Sequence, residues 1–363
     1  MTTEVPAQHA AGVAARTRRP VRRIAAQVAV AAASAGLVVA VPGLLRTTWR
    51  DIWSLLAAVP VWWLVLLSVV WIAGLLAHTL VLSASLPGLS ARRALALNLA
   101  GSAVANAVPL GGAVSMGLTG KMVRSWGFRP TAIGAFFTVS NVWNVTSRGL
   151  LGLLGIAWWM TRPGSAHPVV LGAALAPVLA VLAVFFAVLW SERAATWVAG
   201  LAGRVSASVR RRNRTGELDV RERVTATITS VRRSSLRIAR RSWPALSAGM
   251  IGYTVLLFVL LDLCLRALGS PQSVATVVAV VCLERLLTAV PLTPGSVGVA
   301  ELGVAGSLVL AGVDPVVAAG VAVLYRLYTF GLEIPVGLIV ASAWGLARRA
   351  SLTRPLATAG GRP

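Results

Sequence analysis

The chain alternates between long apolar runs and short segments rich in arginine. An apolar run of about 20 residues is long enough for a helix to cross the hydrocarbon core of a bilayer. Runs of this kind predict six transmembrane helices, at about residues 24–45, 60–82, 130–160, 168–190, 244–268 and 315–346. The pattern therefore predicts an all-α integral membrane protein.

Two further apolar segments, 92–121 and 272–312, are interrupted near their centres by proline and glycine. Proline inside a helix removes a backbone hydrogen bond, and irregular backbone is tolerated at membrane depth only where it is buried in protein or lines a cavity. We therefore expect two re-entrant helical hairpins, each made of two short helices. For the second segment, an ordinary loop outside the membrane is the alternative.

The two predicted hairpins share a short sequence and a spacing of polar positions. Ala-Val-Pro-Leu occurs at 107–110 and again at 289–292. The helices that follow carry polar residues at matching offsets, namely Asn141, Asn144 and Arg148 in one and Arg326, Thr329 and Glu333 in the other. Steps of three and four residues place each trio on one helical face. Three predicted spans separate the hairpins, so the pattern indicates an inverted-topology repeat with a site near the midplane.

The charge of the chain is strongly basic, with 34 basic residues, 11 acidic residues and a net charge of +23. Such an excess can indicate nucleic-acid binding. Here the arginines flank apolar runs, and control of topology and contact with anionic lipid explain that position better. We therefore expect cytoplasmic termini, anionic membrane lipids as partners and no nucleic acid. A homo-oligomer is compatible with the sequence.

These patterns divide the chain into five parts. They are a disordered basic cytoplasmic tail (1–23), a first membrane half (24–190, with hairpin 92–121), a basic cytoplasmic linker (191–243), a second membrane half (244–347, with hairpin 272–312) and a cytoplasmic tail (348–363). We expect the linker to be partly helical and to lie on anionic headgroups.

Charged residues within the second half are the main candidates for function. A charge in hydrocarbon costs at least a few kcal/mol, so such residues are usually paired or line a polar pathway. Arg326 could bind a lipid phosphate with its planar guanidinium, or form a structural ion pair with Glu301 or Glu284. Glu284 and Arg285 are adjacent, so their side chains leave a helix about 100° apart and are not expected to serve one contact.

The remaining candidates lie at the helix breaks or on the polar stripes. They are Asn106, Pro109, Gly111, Gly112, Asn141, Asn144, Arg148, Pro294, Gly295, Gly298 and Glu333. The break before Gly298 can present free backbone amides to an anion, and Glu301 is favoured near a helix N-terminus or could couple protons. Arg148 and Glu333 lie near the predicted far ends of their spans, where a long side chain can reach the interface. His78 is expected to be structural.

Several of these residues resemble the lysylphosphatidylglycerol synthase transmembrane family, a flippase-like membrane module. The resemblance is carried by Glu284–Arg285, Pro294–Gly295, Gly298, Glu301, Gly312–Val313 and Arg326, and in the first half by Asn106, Pro109 and Gly111–Gly112. It covers residues 24–348 and implies a protein of the bacterial plasma membrane that translocates a phospholipid or lipid-linked headgroup. The chain departs from the family pattern at Ser296, where glycine is common, and at Asn141, where arginine is common. It is expected to be a stand-alone member, without the soluble aminoacyl-transferase domain.

No catalytic motif in the sequence points to a different function. The sequence has no Gly-x-Ser-x-Gly, no metal-ligand cluster and no Walker loop, so we expect no enzyme activity and no cofactor. Two alternatives stay open. One is a membrane transferase acting on a lipid-linked substrate with Glu284 or Glu301 as base, and the other is a scaffold for a separately encoded enzyme.

Overall fold

The computed structural model describes residues 39–108, 111–160, 217–288 and 296–353, together with Gly36 and Ala183. Within these residues all regular secondary structure is helical, which confirms the predicted all-α membrane class. The helices are α1 (Trp49–Ala57), α2 (Val61–Ser85), α3 (Ala91–Ala107), α4 (Gly111–Ser125), α5 (Pro130–Met160), α6 (Glu217–Ala267), α7 (Val274–Leu287), α8 (Val299–Leu310), α9 (Pro315–Arg326) and α10 (Glu333–Thr353). The first tail, most of the predicted span 24–45 and nearly all of 168–190 lie outside the described residues, as do 191–216 and 354–363.

Three described segments have the length and mean hydropathy of membrane spans. They are Val61–Ser85, Ala226–Ala267 and Pro315–Arg349. On α2, Val65, Val69, Ile72 and Leu76 form an exposed apolar stripe at helical spacing. A stripe of this kind would be unfavourable in water and suits a surface that faces lipid.

The segment before the predicted fifth span is part of the same helix as the span. Helix α6 runs without interruption from Glu217 to Ala267, with Pro244 inside it, so there is no helix boundary at the expected junction between 243 and 244. A Cβ atom added to Gly134 of α5 would lie 2.8 Å from Cγ2 of Val231, so the two helices meet closely in this region. Residues 217–243 therefore continue the helix of the span, and Val231 within them packs on α5.

Each predicted hairpin is present as a pair of short helices around a break. Helices α3 and α4 contain 17 and 15 residues, and α7 and α8 contain 14 and 12. At about 1.5 Å per residue these helices are roughly 18–26 Å long, which is shorter than a hydrocarbon core of about 30 Å. Pro109, Leu110 and residues 289–295 lie outside the described part, and re-entry into the bilayer stays a prediction.

Close packing fixes the first hairpin. A Cβ atom at Gly111 would lie 2.2 Å from the carbonyl oxygen of Ala105, so only glycine lets α4 begin this close to the end of α3. The hairpin is also held by the second half of the chain. A Cβ atom at Gly337 of α10 would lie 2.0 Å from the carbonyl oxygen of Leu99 in α3. Small residues allow membrane helices to approach in this way.

The predicted last span is interrupted directly after Arg326. Residues Leu327–Gly331 form a π-helical turn, in which the Leu332 amide donates to the carbonyl of Leu327 at 2.8 Å. The turn ends at Gly331. In a regular α-helix the carbonyl of Gly331 would accept a hydrogen bond from the amide of residue 335, but Pro335 has no amide hydrogen to donate. One extra residue in a turn rotates the following residues by about 100°. Glu333 is therefore rotated away from the position relative to Arg326 that the expected uninterrupted helix would give it.

The principal apolar core lies between the two halves. Leu67 of α2, Leu261 of α6, Val281 of α7, Leu308 of α8 and Tyr325 of α9 are all buried in it. Cys264 and Cys282 are buried and free, and they pack as small apolar residues. Helix α3 packs on α10, and α7 packs on α5, so each hairpin contacts the long helix of the opposite half.

Candidate functional site

Arg326 and Glu301 form an ion pair that joins α9 to the start of α8. Arg326 Nε donates to Glu301 Oε1 at 2.9 Å, and both side chains are almost wholly buried. The second oxygen of Glu301 accepts the Gly298 amide at 2.6 Å and so caps α8. Gly298 has φ of 84°, a conformation that favours glycine. Glu301 therefore has both of the simple roles expected from the sequence, helix cap and ion-pair partner.

Arg326 is also packed against an aromatic ring. Its guanidinium lies 4.6 Å from the ring centre of Phe330, which belongs to the π-helical turn. Removing one partner of a buried ion pair typically costs about 3–5 kcal/mol, because the other charge is left without compensation. Arg326 is thus a structural tie between α8, α9 and the turn, whatever further role it has.

Glu284 and Arg285 form a closed pair with each other. Arg285 donates Nη2 to Glu284 Oε1 at 2.7 Å and Nε to Oε2 at 2.5 Å, and Glu284 is fully buried. The expectation that two adjacent residues serve different contacts is wrong. The Cβ atoms diverge, but the long arginine side chain folds back along the helix, since an unpaired buried charge would be much more costly.

Arg148 of α5 binds the end of α7. Its Nη1 donates to the carbonyl oxygen of Thr288 at 3.1 Å, and Thr288 is the C-terminal cap residue of α7. A cation is favoured at this end of a helix because the last carbonyls have no partners within the helix. Arg148 also lies near enough to Arg285 and Glu284 for their charges to interact. The Arg148 side chain therefore points into the protein. The sequence had suggested instead that it could reach the membrane interface.

Glu333 makes the corresponding contact at the first hairpin. Asn106, in the last turn of α3, donates Nδ2 to Glu333 Oε2 at 3.5 Å. The Ser102 side chain, one turn earlier, lies beside the same carboxylate. Glu333, the first residue of α10, is thus held by the end of a hairpin helix of the other half.

These two contacts occupy equivalent positions in the predicted repeat. Counted from the prolines that define the repeat, Asn106 corresponds to Thr288, and Arg148 corresponds to Glu333. The Arg148–Thr288 and Glu333–Asn106 hydrogen bonds therefore join matching sequence positions, once in each direction between the halves. Reciprocal contacts of this kind are what the predicted inverted repeat would produce.

Other sequence candidates lie apart from these contacts or outside the described residues. Asn141 is exposed and donates to the carbonyl of Phe137 at 2.8 Å, and Asn144 donates to the carbonyl of Ser140 at 3.0 Å. Both amides thus bond their own helix. Gly112 is exposed, with open space where a Cβ atom would stand. Pro109, Pro294 and Gly295 are outside the described part.

Sequence reasoning missed two interior polar groups. Asn98 Oδ1 accepts a hydrogen bond from His78 Nδ1 at 2.9 Å, and Asn98 Nδ2 donates to the carbonyl of Leu75 at 3.2 Å. These contacts tie α3 to α2 and give His78 its expected structural role. An asparagine near the middle of an apolar helix was the available signal. Tyr325 is fully buried, and its hydroxyl has no hydrogen-bond partner within the described residues. Its position beside Arg326 was the signal there.

Comparison with known proteins gives one match. The family model for the lysylphosphatidylglycerol synthase TM region matches residues 24–337, which include both hairpins and every charged contact described above. No curated protein and no solved structure matches the chain. The match covers most of the sequence, and the helices α2, α6 and α9–α10 have the apolar length of membrane spans. The chain therefore belongs to the lysylphosphatidylglycerol synthase TM region family, as a membrane-embedded helical protein related to lipid modification or lipid handling.

Proposed function

We propose that this protein translocates a phospholipid or a lipid-linked headgroup across the bacterial plasma membrane, along the interface between its two hairpins. The observation that carries the proposal is the reciprocal pair of contacts between the halves, Arg148 with Thr288 and Glu333 with Asn106. In transporters built from inverted repeats, the substrate site lies between the copies near the midplane, and access alternates as one copy moves against the other. The two contacts join the copies at equivalent points, so opening one of them would change access on one side.

The charged interior supports the same proposal. Glu284, Arg285, Glu301 and Arg326 are all buried within a protein whose helices have the length of membrane spans. Ionisable groups at such depth are costly, and they commonly mark the path of an ion or a polar substrate. A lipid headgroup that crosses the membrane needs polar partners of this kind along its path, while its acyl chains stay in the hydrocarbon.

The orientation that we propose follows from the arginine-rich flanks. Arg92 and Arg93 lie in the first turn of α3, and Arg348 and Arg349 follow the apolar part of α10. Basic flanks are retained on the cytoplasmic side and are attracted to anionic lipid. We therefore place both termini and residues 191–242 in the cytoplasm, with anionic lipids as partners.

The transferase alternative has less support from the geometry. Its candidate bases, Glu284 and Glu301, each have both carboxylate oxygens occupied by protein N–H groups. A substrate hydroxyl would have to displace an arginine or a helix cap before it could lose a proton to either group. A transferase would therefore have to break these carboxylate contacts before catalysis, whereas the proposed translocation can leave them intact.

A liposome assay tests the proposal. The purified full chain is reconstituted into vesicles that contain phosphatidylglycerol with a fluorescent headgroup label, and dithionite is added to quench the label in the outer leaflet. We expect the label of the inner leaflet to become accessible faster than in protein-free vesicles. If phosphatidylglycerol and other phospholipids all cross at the protein-free rate, the proposed function is wrong.

A further inference from the structure

Three arginines lie in the interior around the second hairpin, and they differ in how their charge is compensated. Arg285 holds both oxygens of Glu284, and Arg326 is paired with Glu301. Within the described residues, Arg148 has no carboxylate within ion-pair distance, and its hydrogen bond goes to a neutral carbonyl. Arg148 is therefore the cation of this group whose charge still lacks a direct partner.

The guanidinium of Arg148 has donors to spare. It carries five N–H groups in a planar fork, and the Thr288 carbonyl accepts from one of its nitrogens, Nη1. Arg285 lies close enough to add to the positive potential at Arg148, and Glu284, the nearby acid, is already bound by Arg285. A planar fork in a positive environment matches the oxygens of a phosphate better than any neutral acceptor.

The position of Arg148 also suits a ligand that enters from the hairpin break. Its side chain is half-buried, in contrast to the buried Arg285 and Arg326, so it can meet a ligand without first breaking an ion pair. Its hydrogen-bond partner, Thr288, is the cap residue at the C-terminal end of α7. The break is the part of a re-entrant element that lines a pathway.

We infer that Arg148 binds the phosphate group of the translocated headgroup, with the N–H groups that Thr288 does not use. This inference rests on the proposed translocation and adds to it the class of the recognised group, a phosphate ester, and the residue that recognises it. Arg285 and Arg326 keep their carboxylate partners while the phosphate is bound.

A purely structural role for Arg148 makes a different prediction. If Arg148 served only as a cap for α7, a glutamine at this position would keep the role, because its amide can still donate to the Thr288 carbonyl. Glutamine has neither the charge nor the fork that a phosphate requires. Arg148→Gln therefore separates the two roles, and Arg266→Gln is the matched control, because Arg266 is an exposed arginine paired with Asp262.

Isothermal titration calorimetry on the detergent-purified full chain provides the binding measurement. The probes are dioctanoyl phosphatidylglycerol, dioctanoylglycerol, which has no phosphate, and inorganic phosphate. For phosphatidylglycerol we expect Kd to rise on the order of tenfold or more in Arg148→Gln, since a charge-assisted bidentate contact is lost, and to stay unchanged in Arg266→Gln. Dioctanoylglycerol should bind much more weakly than phosphatidylglycerol to the unmodified protein.

The outcomes separate this inference from the proposed function. If Arg148→Gln and the unmodified protein bind phosphatidylglycerol with equal affinity, the inference about Arg148 is wrong. The proposed function would still stand if the unmodified protein moves lipid in vesicles. Equal affinity for dioctanoylglycerol and phosphatidylglycerol also overturns the inference. If inorganic phosphate binds as tightly as the lipid and is lost in Arg148→Gln, the phosphate site is supported and the lipid substrate is not.

A second measurement needs no substitution and so does not depend on how a variant folds. Phenylglyoxal modifies accessible arginines, and mass spectrometry of the digested protein reports each site. We expect phosphatidylglycerol to protect Arg148 from modification and to leave Arg266 unprotected. Modification of Arg148 at the same rate with and without the lipid would contradict the inference.

Discussion

The carboxylate of Glu301 binds Arg326 of α9 with one oxygen and caps its own helix with the other. The start of α8 and the end of α9 are thereby held together at the point where the π-helical turn begins. Because both charges are buried, neither helix end can move away from the other without exposing an unpaired charge to a medium of low dielectric. The second hairpin and the helix after it are therefore expected to move as one unit.

Loss of one partner of this pair should destabilise the protein strongly. In Glu301→Gln the charge of Arg326 loses its carboxylate, so we expect the free energy of unfolding to fall by about 3–5 kcal/mol. Thermal unfolding of the detergent-purified protein measures the change. Removing the second charge as well, in Glu301→Gln with Arg326→Gln, should recover part of the loss. A single variant as stable as the unmodified protein would show that the pair is not structural.

Replacement by alanine should have opposite effects on stability at the two adjacent glycines that begin α4. In Gly111→Ala the new Cβ atom would stand 2.2 Å from the Ala105 carbonyl oxygen, whereas at Gly112 it would meet nothing within 4 Å. We expect Gly111→Ala to lower stability by about 1–3 kcal/mol or to prevent folding, because the backbone must shift. Gly112→Ala should be neutral or slightly stabilising, since alanine is the better helix former. Yield of folded protein and thermal unfolding of both variants provide the comparison.

The contact between Asn106 and Glu333 offers a way to lock the two halves. We replace Cys264 and Cys282 with alanine, introduce cysteines at positions 106 and 333, and join them with a short thiol-reactive cross-linker. If the halves must move apart during transport, cross-linking should stop lipid translocation in vesicles, and the uncross-linked variant should retain part of it.

A matched pair of cysteines within one helix controls for the chemistry. Cysteines at 262 and 266, which replace an exposed i,i+4 pair of α6, should cross-link with no effect on translocation. Normal translocation after complete linkage of 106 to 333 would show that this contact does not open during transport.

The proposed topology can be tested by labelling from outside the cell. Single cysteines at positions 208 and 357, in a background without Cys264 and Cys282, should react with a membrane-impermeant maleimide only after the cells are permeabilised. The reason is that arginine-rich segments stay on the cytoplasmic side. Ser54 is exposed on α1, which the proposed orientation places outside the cell, so Ser54→Cys should react in intact cells. Labelling of 208 or 357 in intact cells would reverse the orientation.

Much of the fold is determined locally, and the sequence alone was therefore enough to predict it. A run as apolar as 61–85 has to be a helix in a membrane, because the backbone must satisfy its own hydrogen bonds there. The breaks between α3 and α4 and between α7 and α8 follow from proline and glycine in the same way. The pairing of Arg326 with Glu301 was also among the expected partners, since few acids lie within the apolar segments.

The contact partner of each buried charged side chain depends on which helices pack together, and only the tertiary structure decided that. Adjacent positions suggested that Glu284 and Arg285 would separate, yet burial made the long arginine side chain fold back onto its neighbour. The π-helical turn before Pro335 changed which residues share a face after Arg326. Arg148 and Glu333 looked like residues at the ends of spans, but each is held by the hairpin of the opposite half. Helix formation depends on neighbours along the chain, whereas the partner of a buried charge depends on distant residues brought close by packing.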